Sequence, residues 1–105
     1  MRYPLSGPPI GFALVRGASM EPALRAGDRL LVGYRRTPRA GDVVVARFAD
    51  GTLAVKRAVG RRDRGWWLLS DNPAEGVDSR HRGPVPDDRV VAVVLARVWP
   101  RPRRL

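Results

Sequence analysis

The sequence contains no cysteine and only one histidine, His81. The lack of cysteine excludes disulfides, thiolate zinc sites, iron-sulfur clusters and a cysteine nucleophile. With a single histidine, a zinc site built from histidine and carboxylate ligands is also disfavoured. We therefore expect no metal and no cofactor, and the absence of cysteine fits a reducing compartment.

Long apolar runs are also lacking. No segment approaches the roughly 20 residues that cross a bilayer as a helix. The N-terminal stretch "MRYPLSGPPIGFALV" is interrupted by serine, glycine and proline, so it lacks the unbroken apolar run of about 7 to 15 residues that marks a signal peptide. These absences predict a cytoplasmic protein, which could still associate peripherally with a membrane surface.

Acidic residues are scarce relative to basic ones, with ten Asp and Glu against twenty Lys and Arg and a formal net charge of +10. This excess favours acidic partners, nucleic acid or an anionic membrane surface. Trp66, Trp67 and Trp99 could stack on nucleic-acid bases. The arginines are scattered, however, which is more typical of a solvated surface, and the tryptophans lie in apolar stretches. A basic nucleic-acid-binding module is therefore only an alternative interpretation.

Lysine is as scarce as histidine. Lys56, in "LAVKRAV", is the only lysine, and the other nineteen of the twenty Lys and Arg residues are arginine. Arginine stays charged at any pH that a protein survives, whereas the pKa of lysine, ordinarily about 10.4, falls on burial. A deprotonated lysine is a base, so position 56 is where the sequence predicts a task that arginine cannot perform.

Turn signals divide the chain into short apolar runs without a sustained helical period. We predict strands at residues 12–16, 29–34, 42–48, 53–59, 66–70 and 89–99, and one short helical turn from Ser19 to Ala26. The Asp50-Gly51 pair predicts a hairpin with a type I′ turn. The expected fold is a single all-β domain over residues 1–105, with coiled, barrel-like antiparallel sheets and flexible ends at 1–11 and 100–105.

Lys56 falls in the middle of the predicted strand 53–59. Alternation places it on one face between Ala54 and Ala58, whose small side chains leave room for another segment to pack over the amine. At a pKa of 10.4 only roughly one amine in 2500 is neutral at pH 7, so a base here needs a pKa about 3 units lower. Burial supplies shifts of about 3 to 5 units. The alternative is an ordinary surface lysine on an exposed strand face.

A neutral lysine needs a nucleophile within reach, and Ser19 is the best placed of the four serines. In "VRGASMEPAL" a strand runs into Gly17, which permits unusual backbone angles, and then into a serine at the start of a turn. Such a bend exposes the hydroxyl and aims unpaired backbone N–H groups at the same point, as an oxyanion hole requires. The alternative is that Ser19 only caps the turn. His81 is a weaker candidate base because it lies between two arginines.

Four stretches occur in a characteristic order: "GASMEPAL" (17–24), "GDVVV" (41–45), "VKRAVG" (55–60) and "SDNPAEGVDSRHRGPV" (70–85). Within residues 12–99 they resemble the sequence boxes of the type I signal peptidase-like serine peptidase superfamily. The resemblance implies a Ser/Lys dyad in which Ser19 is the nucleophile, Lys56 is the general base and the backbone N–H of Ser19 is an oxyanion donor. It implies supporting roles for Met20, Pro22, Arg57, Asp71, Asp78 and Arg80. The spacing of the two aspartates alone would also allow a carboxylate pair, although ion pairs fit this arginine-rich loop better.

Two positions depart from that superfamily pattern. Gly17 stands where some members have a hydroxyl that serves as a second oxyanion donor. Gly76 stands where some have a serine beside the lysine amine, so another group must orient Lys56.

The small size and arginine-rich composition resemble the nickel-type superoxide dismutase maturation proteases of actinobacteria, which remove an N-terminal leader. This implies a serine endopeptidase whose partner is a nickel superoxide dismutase precursor, with no metal in the catalyst. A LexA-like autoprotease would need a cleavable segment and a DNA-binding domain before Ser19, for which eighteen residues leave no room. A signal peptidase acting with a membrane partner and the nucleic-acid-binding module are the alternatives.

Overall fold

The computed structural model of the chain describes residues 9–105, whose regular structure is dominated by antiparallel strands. The strands are β1 (Ile10–Leu14), β2 (Arg29–Tyr34), β3 (Val43–Arg47), β4 (Leu53–Arg62), β5 (Gly65–Leu69), β6 (Val85–Pro86), β7 (Val90–Trp99) and β8 (Arg103–Arg104). A four-residue helix, α1 (Ser79–Arg82), and a 3₁₀ turn at Asp87–Arg89 follow β5. The predicted all-β class is confirmed, and each of the six predicted strands is present within a few residues.

The strands form one sheet in the order β1-β2-β7-β3-β4-β5-β6, with β8 paired to β7. In the β3–β4 ladder Val44 is opposite Lys56. In the β4–β5 ladder Arg57 is opposite Leu69, so the first residue after β5, Ser70, lies opposite Lys56. The loop that follows β5 therefore begins beside the middle of β4.

Two hydrophobic clusters form the core. Val43 and Val45 of β3 belong to the first cluster with Met20, whereas Val44 belongs to the second cluster with Trp66. Because β3 is buried on both faces, it is a continuous apolar run rather than an alternating one, and the same holds for the first half of β7. Ala58, which shares a face with Lys56, lies in the second cluster.

The β3–β4 hairpin forms where Asp50-Gly51 predicts it, but the predicted turn type is wrong. A type I′ turn needs a positive φ at both central residues, and of this pair only Gly51 has one, at 89°. The Gly51 N–H donates to the Phe48 carbonyl at 2.9 Å, which makes a three-residue loop closed by a left-handed glycine. The type I′ pattern occurs instead in the β4–β5 hairpin, where Asp63 and Arg64 have φ of 49° and 67°.

The helical turn predicted from Ser19 to Ala26 is shorter than expected. Its one i to i+4 hydrogen bond joins the Leu24 N–H to the Met20 carbonyl at 2.9 Å. Pro22 has no N–H to donate and restricts the residue before it to extended conformations, so a longer helix cannot form. The segment is a compact turn, and it holds Met20 and Leu24 in the first core cluster.

The predicted flexible ends lie partly outside the described residues. Within the described range, Ile10 and Gly11 belong to β1, and β8 pairs with Ala96 and Arg97 of β7. Flexibility of these ends in solution stays a prediction. Between residues 9 and 105 there is no helix with the length and apolar character needed to cross a membrane.

Candidate active site

Lys56 is buried in the middle of β4, with only 3% of the residue exposed. Its Nζ donates a hydrogen bond to the Ser70 hydroxyl at 2.9 Å. Burial lowers the pKa of Lys56, Asp78 opposes this change by favouring the charged form, and Arg80 reinforces it. The side chain therefore lies in the environment that a lysine base requires, and not on an exposed strand face.

Ser19 lies in the turn that follows β1. Gly17 has a φ of 72°, a left-handed conformation that side-chain-bearing residues rarely adopt, and it lets the chain bend sharply before the serine. Among residues 9–105 the N–H of Ser19 donates to no hydrogen bond, whereas its carbonyl accepts from the Asn72 N–H at 2.9 Å. The serine N–H is thus available for an oxyanion.

Gly76 separates Ser19 from Lys56. A Cβ atom added to this glycine would lie 3.1 Å from Lys56 Nζ and 3.1 Å from the Cβ of Ser19. These two atoms are therefore no farther apart than twice that distance. Gly76 also has a φ of 77°, so the left-handed backbone and the crowded position both favour glycine. The amine of Lys56 and the side chain of Ser19 thus both lie next to Gly76, which has no side chain to fill the space between them.

The loop after β5 is built around Asp78, which is fully buried. Asp78 Oδ2 accepts hydrogen bonds from the Ser70 N–H at 2.9 Å and from the Arg80 guanidinium at 2.8 Å. Burial acts to raise the pKa of Asp78, but the hydrogen bonds from Arg80 and from the backbone N–H of Ser70 hold it well below its ordinary range. The charged carboxylate therefore fixes the start and the end of the loop to each other.

A second ion pair holds the loop against β4. Arg57 donates from Nε and Nη2 to the two carboxylate oxygens of Asp71, at 3.1 and 2.7 Å, and from Nη1 to the Gly41 carbonyl at 2.9 Å. Bidentate pairs of this kind fix orientation as well as distance. Asp71 and Asp78 accordingly form separate ion pairs rather than one carboxylate pair.

Asn72 binds the loop after β5 to the Ser19 turn through two hydrogen bonds. Besides its N–H bond to Ser19, its side-chain Nδ2 donates to the Ala18 carbonyl at 3.2 Å. Asn72 and Ser70 are site residues that the sequence did not predict. Their signals were weak: a serine and an asparagine in the "SDN" motif, whose partners lie far away in the chain.

A groove of about 390 Å³ opens beside Ser19. Residues 12–16 and 53–55 contribute to its lining. Strand β1 is an edge of the described sheet, and Phe12 on it is 73% exposed. An unpaired strand edge next to a groove is a common way to bind an extended peptide, through backbone hydrogen bonds and side-chain pockets.

The other candidates from the sequence lie in different settings. His81 Nδ1 accepts from the Asp78 N–H at 3.3 Å and completes the capping box of α1. Arginine side chains lie over all three tryptophan rings, at 4.9 Å for Trp99, 5.2 Å for Trp66 and 4.2 Å for Trp67, so one face of each ring is already occupied. Within residues 9–105 no three acidic or histidine side chains are grouped as metal ligands.

The importance of Asp78 is testable through stability. Asp78→Asn removes a charged acceptor from the buried N–H of Ser70 and from Arg80, so we expect the free energy of unfolding at neutral pH to fall by about 2 to 4 kcal/mol. Because the pKa of Asp78 is lowered in the folded protein, its contribution is present above the ordinary value of 3.8 and is lost as the pH falls toward the folded value. Denaturant titrations across the acid range should therefore show a shallower pH dependence in the variant.

The matched control is Asp50→Asn. Asp50 also pairs with an arginine, Arg82 at 3.0 Å, but on the exposed surface. Its loss should cost much less stability than the loss of Asp78, because exposed ion pairs contribute little to folding. Equal losses in the two variants would contradict a special role for the buried Asp78.

Comparison with known proteins defines the class to which this domain belongs. A family model described as Peptidase S24-like matches residues 5–94. Mitochondrial inner membrane protease subunit 1 of Schizosaccharomyces pombe is 36% identical over 115 aligned positions, which cover 85% of this chain and 73% of the relative. The class is thus that of the signal-peptidase-like serine peptidases. The chain belongs to the Peptidase S24-like family within the signal peptidase I-like superfamily.

Proposed function

We propose that this protein is a serine endopeptidase in which Ser19 and Lys56 form the catalytic dyad and which removes an N-terminal leader from a precursor protein. One observation carries the proposal: a buried lysine with a lowered pKa and a serine in a sharp turn meet across Gly76. The amine hydrogen-bonds to Ser70 rather than to Ser19. Catalytic hydrogen bonds often form only in the substrate complex, and the separation across Gly76 is small enough for this.

The proposed mechanism has two halves. In the first, neutral Lys56 takes the Ser19 proton, Ser19 Oγ attacks the scissile carbonyl, and the Ser19 N–H stabilises the oxyanion. The ammonium of Lys56 then protonates the leaving amine, which leaves an acyl group on Ser19. In the second half, Lys56 takes a proton from water, the resulting hydroxide equivalent attacks the ester, and the proton returns to Ser19 Oγ.

The groove beside Ser19 supports an extended peptide as the substrate. The edge of β1 offers backbone donors and acceptors, and the exposed side chains of Phe12, Leu14 and Leu53 offer apolar contacts. A flexible leader can adopt this extended conformation, whereas a folded domain would have to unfold locally. The geometry thus favours cleavage in an unstructured segment of a protein.

The specific substrate that we propose is a nickel superoxide dismutase precursor, on the basis of the motif resemblance. Incubation of that precursor with the protein, followed by intact-mass analysis, should show one cut that releases the leader. A precursor that stays intact while other leader peptides are cut would contradict this substrate but not the peptidase. A cytoplasmic location stays a prediction.

The alternative substrate class is an exported preprotein, with a membrane protein as partner. The observation that favours it is the similarity to a subunit of an inner membrane protease. Cleavage of preprotein signal sequences, together with sedimentation of the protein with membranes, would support this alternative. Salt-dependent binding of single-stranded DNA that is unaffected by Ser19→Ala would instead favour a nucleic-acid-binding module.

A further inference from the structure

Ser70 is held on two sides in the buried part of the site. It follows β5, and continuation of the β4–β5 register places it opposite Lys56. Its hydroxyl accepts from Lys56 Nζ at 2.9 Å, and its N–H donates to Asp78 Oδ2 at 2.9 Å. Only 7% of the residue is exposed. A serine fixed in this way presents a stationary acceptor to the amine.

The Lys56 side chain needs such an acceptor. Lysine has four flexible torsions, so holding its amine in one orientation costs rotamer entropy. A neutral amine has two N–H groups and one lone pair in a tetrahedral arrangement. When one N–H is committed to Ser70, the lone pair can be directed only to the remaining sides of the nitrogen, one of which faces Gly76 and Ser19.

We propose that Ser70 is the positioning residue that orients the Lys56 amine toward Ser19. This inference rests on the proposed function. Gly76 cannot supply the acceptor because it has no side chain, and a Cβ there would crowd both the amine and Ser19 at 3.1 Å. The same point lies 3.7 Å from the Ser70 hydroxyl. Ser70 therefore binds the amine without filling the space between Lys56 and Ser19, which stays open for proton transfer.

The proposal also explains how the buried ion pair reaches the chemistry. Arg80 fixes Asp78, Asp78 fixes the backbone of Ser70, and the Ser70 hydroxyl fixes Lys56. Arg80 and Asp78 thus act on Lys56 through Ser70, and neither needs to touch the substrate.

The test compares Ser70→Thr with Ser70→Val. The two substituents are nearly the same size, but only threonine keeps the hydroxyl, and both variants keep the N–H that donates to Asp78. We expect Ser70→Val to lower kcat for a leader peptide by about 100-fold with little change in KM, because a misplaced catalytic group costs rate rather than binding. Ser70→Thr should retain kcat to within about tenfold of the wild type.

The pH profile separates positioning from general damage. An acceptor hydroxyl favours the ammonium form, so its loss should move the acidic limb of the kcat profile to lower pH while the maximum rate falls. Ser79→Ala is the matched control, since the Ser79 hydroxyl is also buried but accepts from the Leu68 N–H at 2.9 Å. Ser79→Ala should lower the free energy of unfolding but leave the acidic limb of the kcat profile at the same pH as in the wild type.

Equal activity of the threonine and valine variants, or an acidic limb that moves equally in Ser70→Val and Ser79→Ala, would overturn the role of Ser70. If Ser70→Val does not fold, a second measurement tests the same role. Lys56 is the only lysine, so isotope-labelled lysine gives a single side-chain amine signal, and its pKa should be lower in Ser70→Ala than in Ser70→Thr. Identical values would overturn the proposal. Loss of activity in Lys56→Met beside full activity in Ser70→Val would refute this proposal alone.

Discussion

Lys56→Met is expected to lower kcat/KM for leader cleavage by roughly 10⁴- to 10⁶-fold, the range seen when a member of a catalytic unit is removed. Methionine has a similar length but no proton-accepting nitrogen. Lys56→Arg should be inactive for a related reason, because a guanidinium stays protonated. The loss should appear in kcat rather than in KM, since in the proposed dyad Lys56 acts on the reacting atoms, and it does not line the groove beside Ser19.

The same substitution should not weaken the fold. Because burial lowers the pKa of Lys56, the unfolded chain binds a proton that the folded chain lacks between the folded value and about 10.4, so wild-type stability rises with pH over that window. Lys56→Met removes this dependence and the cost of the buried charge. We therefore expect an equal or higher free energy of unfolding at neutral pH.

The control for Lys56→Met is Arg64→Met at the exposed tip of the β4–β5 hairpin. It also replaces a cation by methionine, and it should leave the rate unchanged. The pH profile of the wild type should rise through an apparent pKa well below 10.4, as the neutral amine becomes available. Substantial cleavage by folded Lys56→Met would show that Lys56 is not the base.

Ser19→Ala should produce a loss of the same size. Removal of the hydroxyl removes the attacking atom but leaves the groove and the turn in place, so the variant should still bind leader peptide. We expect unchanged peptide affinity, by fluorescence anisotropy, and a kcat near the limit of detection.

The double variant tests whether the two residues act as a unit. When a nucleophile and its base depend on each other, removing both costs little more than removing either one. We expect Ser19→Ala/Lys56→Met to be as inactive as each single variant. A double variant whose loss is the product of the two single losses would mean that the residues act in separate steps or sites.

The strands could be predicted because local sequence patterns determine them here. Turn residues mark the ends of every long strand, and alternation in β4 places Lys56 on the face that it shares with Ala54 and Ala58. The turn after Ser19 was less predictable, since Pro22 shortens a segment whose other residues would tolerate a longer helix. The type I′ turn was predicted for the wrong hairpin, because Asp63 and Arg64 adopt left-handed angles without an Asn-Gly or Asp-Gly signal.

The candidate site was likewise predictable only in part. The roles proposed for Ser19 and Lys56 come from motif and chemistry, whereas the environment of Lys56 depends on register. Ser70 lies opposite Lys56 only because the β4–β5 ladder brings it there, after an irregularity between Ala58 and Gly60. Asn72 holds the Ser19 turn across more than fifty residues of sequence. Contacts of this range carry no local signal in one sequence.

The most direct test of the Ser19/Lys56 dyad is to trap and locate the acyl-enzyme. A leader-peptide p-nitrophenyl ester, quenched in acid during turnover and digested with trypsin, should leave the acyl mass on the tryptic peptide of residues 17–25, which contains Ser19. The adduct should be absent from Lys56→Met and Ser19→Ala under the same conditions. An acyl group on another residue, or an adduct that forms equally fast without Lys56, would contradict the dyad.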